Sequence, residues 1–221
     1  MPSRSGALRL VGSGVAGYLF GTVPSADAAA RFATGGRADL RQAGSGNPGA
    51  ANAMAVLGPW WGYGVLGADV AKGAAACVLG RRLAGADGSH LAGTAAVLGH
   101  CFPVWNGFRG GKGVAASVGQ CLVTFPAYAP LDLVVAGVTA TRRWRSRSFA
   151  ATAAASLAWC AGSLVWWRRG WPNAWGPAPS ATLPCAAAAS SAVILYRFAT
   201  SGRGGANPSA ARLRARRPGP R

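Results

Sequence analysis

Two glycine-rich loops hold the residues best suited to bind a phosphate group. The more distinctive loop contains Lys112, one of only two lysines among the 23 lysines and arginines of the chain. Glycine allows backbone N–H groups to converge on an anion, and a lysine ammonium adds a compact positive charge. Apolar segments flank the loop on both sides, so the pattern predicts a phosphate site beside a membrane. The candidate site residues are Arg109, Gly110, Gly111, Lys112 and Gly113.

The other glycine-rich loop lies earlier in the chain and has GxGxxG spacing. Asp69 follows it at the distance expected of a dinucleotide-binding fingerprint. We reject that interpretation because a polar stretch, rather than a buried strand, precedes the glycines, and because Asp69 falls in an apolar helix segment. Two interpretations remain: an oxyanion or phosphate site at the start of a helix, and a tight turn between helices. The candidate residues are Gly44, Ser45, Gly46, Asn47, Gly49 and Asn52.

Three further ionisable residues lie in or beside apolar segments. Asp69 and Lys72 are three positions apart, so they share one face of a helix. Ionisable groups inside a membrane are costly unless they are paired or functional, and an internal salt bridge that stabilises helix packing explains this pair equally well. His100 ends an apolar segment, where it could act as a general base, bind phosphate or simply pack at the helix end.

The composition favours a membrane protein with several spans. Hydrophobic residues make up 51% of the 221 residues and charged residues only 13%, whereas soluble domains carry about 25% charged residues. The formal net charge of +18 does not indicate a nucleic-acid-binding protein, because the arginines form short clusters between apolar stretches. The five cysteines include no CxxC pair, so we expect free thiols and no metal site.

The hydropathy pattern predicts an all-α integral membrane fold with about seven transmembrane helices, some of them short or broken. With the N-terminus outside, sixteen basic residues fall on the cytoplasmic side and six on the outer side, in agreement with the positive-inside rule. This orientation places both glycine-rich loops in the cytoplasm. We divide the chain into a membrane domain, 1–200, and a basic cytoplasmic tail, 201–221, which we expect to be disordered. The predicted segments are 6–24, 53–80, 90–105, 113–128, 130–141, 149–167 and 181–199.

Four motifs together resemble the acyl-phosphate glycerol-3-phosphate acyltransferase family. They are Gly21–Ser25, Asp39–Asn52, Asp69–Gly73 and Gly99–Gly113, and the similarity extends from about residue 15 to residue 200. The resemblance implies a multi-pass enzyme of the bacterial inner (plasma) membrane with its active site facing the cytoplasm. It implies transfer of a fatty acyl group from acyl phosphate to the 1-hydroxyl of glycerol 3-phosphate, which gives lysophosphatidic acid and phosphate for phospholipid synthesis. It also implies that no metal, nucleotide or other cofactor takes part.

The resemblance and the two loops together define the expected site. We expect His100, Lys112, Ser45 and Asn47 to be catalytic, with a substrate phosphate as the alternative to His100 as the base. Membrane lipid is an expected partner in addition to acyl phosphate and glycerol 3-phosphate. The expected substrate-binding residues are Gly44, Gly46, Gly49, Asn52, Asp69, Lys72, Arg109, Gly110, Gly111, Gly113 and Ser148.

The chain departs from the family pattern at positions that, in the family, hold glycerol 3-phosphate. Ala55 stands in place of an arginine, Phe198 in place of a histidine and Ser201 in place of an asparagine. We therefore expect the acyl-phosphate side of the site to be more intact than the acceptor side. The alternatives are a different acceptor, the same acceptor with Arg41 or Arg197 compensating, and a non-catalytic protein that binds lipid or acyl phosphate.

Overall fold

The computed structural model describes residues 4–132, 134 and 148–201, and every regular element within these ranges is helical. This confirms the predicted all-α class for the described part of the chain. The predicted tail, apart from residue 201, lies outside the described residues, and so does the side chain of Ser148. Helices α1 to α7 are Arg4–Gly21, Ser25–Thr34, Ala50–Leu57, Pro59–Cys101, Val114–Thr124, Ser148–Arg169 and Thr182–Ser201, and a short 3-10 helix spans Val104–Asn106.

Most predicted segments coincide with helices, but segment 53–80 is interrupted. Gly58 has a φ of 105° and ends α3, and α4 then begins at Pro59, because proline is well tolerated in the first turn of a helix. Segment 130–141 lies largely outside the described residues, so the number of spans remains a prediction. Both α6 and α7 contain a stretch long and apolar enough to cross a membrane.

The long helix α4 contains a turn that divides it into two antiparallel arms. Ala84 (φ −142°, ψ 29°) and Gly85 (φ 65°, ψ −149°) leave the helical conformation. We call residues 59–83 the first arm and residues 86–101 the second arm. The reversal depends on glycine, because residues with a side chain rarely adopt the positive φ of Gly85.

Glycines allow the two arms to pack closely. A Cβ atom on Gly88 would lie 2.3 Å from the carbonyl oxygen of Gly80, well inside contact distance. Small residues of this kind let backbones approach each other in membrane helix pairs. Because the arms run side by side from the turn, Asp69 on the first arm lies opposite His100 on the second.

The helices α1 and α5 pack against this hairpin in the same way. A Cβ atom on Gly21 of α1 would lie 2.1 Å from the carbonyl oxygen of Ala96. A Cβ atom on Gly73 of the first arm would lie 2.2 Å from the carbonyl oxygen of Ala116 in α5. Much of the glycine in the helices is therefore used for close contact between them.

A buried polar cluster joins the second arm, α5 and α7. Ser190 Oγ lies 2.8 Å from Gln120 Oε1 and 3.2 Å from Thr94 Oγ1. Lipid offers no hydrogen-bonding partner to a polar side chain, so these bonds favour one register of the three helices over others.

The two ends of this helical bundle differ. One end carries the segment 22–49 after α1 and the segment 102–113 after α4, and Arg41 Nε donates a hydrogen bond of 3.0 Å to the carbonyl oxygen of Arg109 between them. The other end carries the turn at residues 84 and 85. Both glycine-rich loops therefore lie together at one end, where they can contribute to one site.

Candidate active site

A cleft opens where the two glycine-rich loops meet the ends of α1 and α4. It is a narrow cleft with about 270 Å³ of empty space, part of which is open to solvent. Lys72 and His100 line it, whereas Lys112 does not. The other lining side chains that carry charge or hydrogen-bonding groups are those of Thr22, Ser25, Asp27, Arg41 and Asn106, together with the backbone of Gly110 and Gly111.

A buried charge cluster centred on Asp69 lies beside this cleft. Lys72 Nζ lies 2.9 Å from Asp69 Oδ1, and His100 Nδ1 lies 3.5 Å from the same oxygen. The hydroxyl group of Ser25 donates a hydrogen bond to this oxygen as well. Asp69, Lys72 and His100 are 1%, 7% and 8% exposed, so the charges of Asp69 and Lys72 depend on each other to offset the loss of hydration. The cluster stabilises helix packing and also orients the His100 ring.

Asp69 engages one ring nitrogen of His100, and the other nitrogen lies beside Gly111. A Cβ atom on Gly111 would lie 2.2 Å from His100 Nε2, so only glycine fits at this position. Among the described residues, no hydrogen-bonding partner is found for Nε2. This nitrogen is therefore free to accept a proton from a hydroxyl group bound in the cleft.

A partly buried ion pair links the two loop segments at the rim of the cleft. The guanidinium of Arg41 forms two hydrogen bonds to the carboxylate of Asp27, one of them 3.0 Å long. Asn106 Nδ2 donates to the same carboxylate at 2.9 Å. The guanidinium of Arg41 is thus already engaged by protein groups.

Asn52 holds the first glycine-rich loop in shape. Its Oδ1 accepts a hydrogen bond of 2.8 Å from the N–H of Ser45, and its Nδ2 donates to the carbonyl oxygens of Leu40 (2.9 Å) and Ala43 (3.0 Å). Gly44 has a φ of 61°, and a Cβ atom there would lie 2.2 Å from Asn52 Oδ1. The structure therefore places Asn52 and Gly44 in the support of the loop rather than at a ligand surface.

The remaining residues of the first loop include two with polar groups that the loop does not use. Ser45 is exposed. Asn47 Oδ1 is buried and has no hydrogen-bonding partner among the described residues. Gly46 has a φ of 71°, and Gly49 precedes α3, whose first turn has no side-chain cap. The N–H groups of Gly46 and Gly49 donate within the loop, to the carbonyl oxygens of Ala43 (3.1 Å) and Asn47 (2.9 Å). The Ser45 hydroxyl and Asn47 Oδ1 therefore remain for a ligand.

The glycines of the second loop are needed for close approach. The N–H groups of Gly110 and Gly111 donate to the carbonyl oxygens of Cys101 and His100, both at 3.1 Å. The N–H of Arg109 donates to the carbonyl oxygen of Asn106 at 3.2 Å. We had expected the N–H groups of this loop to converge on an anion, but these three are used within the protein, because the loop must pack against the end of α4.

The donors that remain in the second loop lie at its end. Within the described part of the chain, the N–H groups of Lys112 and Gly113 have no hydrogen-bonding partner. Gly113 has a φ of 87° and precedes α5, and no side chain caps the first turn of this helix. An uncapped helix N-terminus attracts anions, since its N–H groups and its dipole both favour negative charge.

The side chain of Lys112 lies against α7. Its Nζ is 4.2 Å from the centre of the Phe198 ring, a cation–π contact. The neighbouring Arg197 donates hydrogen bonds to the carbonyl oxygens of Gly110 (2.8 Å) and Gly111 (3.2 Å). Burial, followed by the positive charge of Arg197, lowers the pKa of Lys112. Lys112 is therefore a half-buried cation with an aromatic ring as its nearest described partner.

The three departures from the family pattern add no charge near Lys112. Ala55 is exposed on α3, Phe198 is apolar, and the hydroxyl of Ser201 donates to the carbonyl oxygen of Arg197. Sequence reasoning included Ser25 in the motif Gly21–Ser25 but gave no site role to it or to Asp27, which bind Asp69 and Arg41. The available signal was their position directly after the first span, at the same end as both loops.

The helical fold, with two glycine-rich loops together at one end, places this chain in the class of all-helical membrane proteins. A family model described as glycerol-3-phosphate acyltransferase matches residues 11–203. The chain belongs to the glycerol-3-phosphate acyltransferase family.

Curated relatives with the name glycerol-3-phosphate acyltransferase support this assignment. The relative from Jannaschia sp. is 44% identical over 142 residues, which is 63% of this chain and 68% of the relative. The relative from Cereibacter sphaeroides is 38% identical over 161 residues, which is 72% of this chain and 76% of the relative.

Solved structures agree with the fold. The glycerol 3-phosphate form of PlsY, an integral membrane glycerol 3-phosphate acyltransferase, superposes with a TM-score of 0.69 at 28% identity, covering 93% of this chain and 92% of PlsY. Its lysophosphatidic acid form gives a TM-score of 0.65. The predicted all-helical, integral membrane class is confirmed.

Proposed function

We propose that this chain transfers a fatty acyl group from acyl phosphate to a hydroxyl group of glycerol 3-phosphate in phospholipid synthesis. The family match over residues 11–203 carries this proposal. The acceptor oxygen forms a bond to the acyl carbon, and the bond from that carbon to the phosphate oxygen breaks. Lysophosphatidic acid and phosphate are the products. Acyl phosphate is already activated, so the protein needs only to position the substrates and stabilise charge.

The phosphate of the donor binds at the start of α5. The ammonium of Lys112 and the unpaired N–H groups of Lys112 and Gly113 supply positive charge and hydrogen bonds at this point. The lysine also stabilises the charge that develops on the leaving phosphate. Ser45 and Asn47 offer polar groups from the first loop.

The proton of the acceptor hydroxyl passes to His100. Asp69 holds Nδ1, at 3.5 Å, and Nε2 remains as the base. The leaving phosphate is the alternative acceptor of this proton. Replacement of His100 by Gln separates the two, since only a histidine base would make turnover depend strongly on this residue.

The acceptor side of the site is weakened. Arg41 and Arg197 are the nearest candidates to replace the missing arginine and histidine, but Arg41 is bound to Asp27 and Arg197 to two carbonyl oxygens. Their charges are partly offset before any substrate arrives. A different acceptor, or a role in binding lipid or acyl phosphate without catalysis, is the second candidate function.

The active site faces the cytoplasm of a bacterial cell, with the chain in the inner membrane and the N-terminus outside. The distribution of basic residues, sixteen on the cytoplasmic side and six outside, supports this orientation. Cysteine labelling from each side of the membrane at positions 105 and 171, in a background without other exposed cysteines, would test it. Access to position 171 from the cytoplasm would overturn the orientation.

The function is tested with purified chain, acyl phosphate and glycerol 3-phosphate in detergent. We expect lysophosphatidic acid and phosphate in equal amounts. Lys112→Ala should lose about 10²–10³-fold in turnover, the size of a lost transition-state charge contact. Arg168→Ala serves as the matched control. Arg168 is a basic residue in the last turn of α6, at the end of the bundle opposite the cleft, so this variant should retain activity.

The products separate the alternatives. Consumption of acyl phosphate without lysophosphatidic acid would indicate another acceptor, and binding without consumption would indicate a non-catalytic protein. Turnover equal to that of a relative with arginine, histidine and asparagine at positions 55, 198 and 201 would contradict the weakened acceptor side.

A further inference from the structure

Four arginines lie at the end of the bundle opposite the cleft. Arg81 and Arg82 precede the turn of α4, and Arg168 and Arg169 end α6. In the proposed orientation this end is outside, where basic residues are disfavoured. The chain has only five acidic residues, and none of them forms a salt bridge with these arginines in the described part. No acidic side chain of the described residues therefore pairs with these positive charges.

Two of the arginines form the rim of an apolar groove. The groove has an empty volume of about 820 Å³ and is lined by Val78, Arg81, Arg82, Val123 and Trp175. Part of this volume is open to the surroundings, so the groove is accessible from outside the protein. Arg168 and Arg169 do not line it; they lie over the rings of Trp167 and Trp171 instead. The two pairs thus have different surroundings at the same end.

The wall of the groove is held in place by hydrogen bonds. Trp175 Nε1 donates to the carbonyl oxygen of Leu122 at 2.9 Å, and Arg81 Nη1 donates to the carbonyl oxygen of Trp175 at 3.3 Å. Arg82 has no hydrogen bond or salt bridge among the described residues. Its guanidinium and the remaining donors of Arg81 are therefore available to a ligand.

The apolar part of the groove faces away from the core. Val78 is 41% exposed and Trp175 is 68% exposed. These exposed apolar surfaces are therefore available to a hydrocarbon chain. A ligand of this groove needs an anionic group for the rim and a hydrocarbon chain for the interior.

We propose that the groove binds one anionic glycerophospholipid of the surrounding bilayer. Its phosphate lies between Arg81 and Arg82, because guanidinium groups form paired hydrogen bonds to phosphate oxygens. An acyl chain lies against Val78 and Val123, beside the ring of Trp175. A free phosphate would satisfy only the rim, and a lipid with a neutral headgroup would gain less from the two positive charges.

The test is native mass spectrometry of the full chain in detergent, titrated with palmitoyl-oleoyl phosphatidylglycerol or with the phosphatidylcholine of the same chains. We expect tighter binding of phosphatidylglycerol. Arg81→Gln with Arg82→Gln should weaken it about tenfold or more, since each basic group near an anionic headgroup contributes several-fold. Arg168→Gln with Arg169→Gln removes the same charge outside the groove and should change it less than about threefold.

Three results would overturn the proposal. They are equal loss from both arginine pairs, which would indicate general charge attraction; equal binding of the two lipids; and displacement of phosphatidylglycerol by inorganic phosphate. If the double variant at 81 and 82 fails to fold, as judged by thermal unfolding, Arg82→Gln replaces it, because this change leaves the bond between Arg81 and Trp175 intact. The measurement does not depend on acyl transfer, so it stands apart from the proposed function.

Discussion

The lysines on the two sides of the second glycine-rich loop have different partners. On one side, Lys72 and His100 share the carboxylate of Asp69 and are almost completely buried. On the other side, Lys112 is half-buried with the ring of Phe198 as its nearest partner. A fully partnered charge cluster supports structure and orients its members, whereas a cation without a carboxylate can accept a substrate anion. The lysine inside the cleft is thus the weaker candidate for the phosphate anchor.

The largest expected effect is on the partnered side. Asp69→Ala leaves Lys72 buried without its carboxylate, and breaking a buried pair in this way costs about 3–5 kcal/mol. We expect a large fall in the thermal unfolding temperature in detergent. Asp87→Ala, an exposed acid on the same helix, is the control and should change it little. Equal stability of both variants would contradict the structural role of the cluster.

The next effect concerns the charge state of Lys112. Burial and Arg197 lower the pKa of this lysine below its usual value of 10.5, so the ammonium is lost at lower pH than in a free lysine. Since only the ammonium binds phosphate, kcat/KM should fall as pH rises through this range. Lys112→Arg keeps its charge there, so its profile should lack this fall. If the two profiles fall together, Lys112 is not the titrating group.

A smaller effect is expected from Phe198→His with Ser201→Asn, which restores two family residues. These side chains add hydrogen-bonding groups, and one new bond to a charged group corresponds to about a tenfold gain. The KM for glycerol 3-phosphate should fall by about this factor, while that for acyl phosphate changes less. Phe198→Leu is the control, because it removes the ring without adding a donor. An unchanged KM would favour a different acceptor.

The smallest effect is expected at the rim. Asp27→Asn breaks the ion pair with Arg41, whose side chains are 21% and 32% exposed, and pairs in contact with water contribute only about 0–1 kcal/mol. We expect nearly normal unfolding in detergent, measured beside Asp69→Ala. A loss as large as that of Asp69→Ala would show that the rim pair, rather than the buried cluster, holds the two loops together.

The helical fold could be predicted, and the separate segments 53–80 and 90–105 place a reversal of the chain between them, where the turn of α4 lies. Long apolar stretches indicate helices, and Gly58 before Pro59 was a usable signal for the break that we missed. Gly85 lies among many glycines and alanines, and nothing local distinguishes it from Gly80 or Gly88. Only the structure therefore shows that, within this connection, the chain turns at residues 84 and 85.

The candidate site was predicted in part. Both loops, His100 and the pair of Asp69 and Lys72 stand out by residue type, and the structure brings them to one end of the molecule. The separation of Lys112 from the cleft was not predictable, because it depends on the side on which α7 packs. The use of the Gly110 and Gly111 N–H groups by carbonyl oxygens of α4 was not predictable either, because it depends on how the loop packs against the end of α4.

The sequence by itself determined the family, the membrane setting and the residue types of the site, because apolar runs, glycine-rich motifs and their order are local properties. The tertiary structure alone decided which charges have partners. Asp69 and His100 are thirty-one positions apart in the chain and meet because the arms of α4 fold back at Gly85. Lys112 and Phe198 meet because α7 returns to the loop end. Partnership of charges is set by distance in space, and only packing determines that distance.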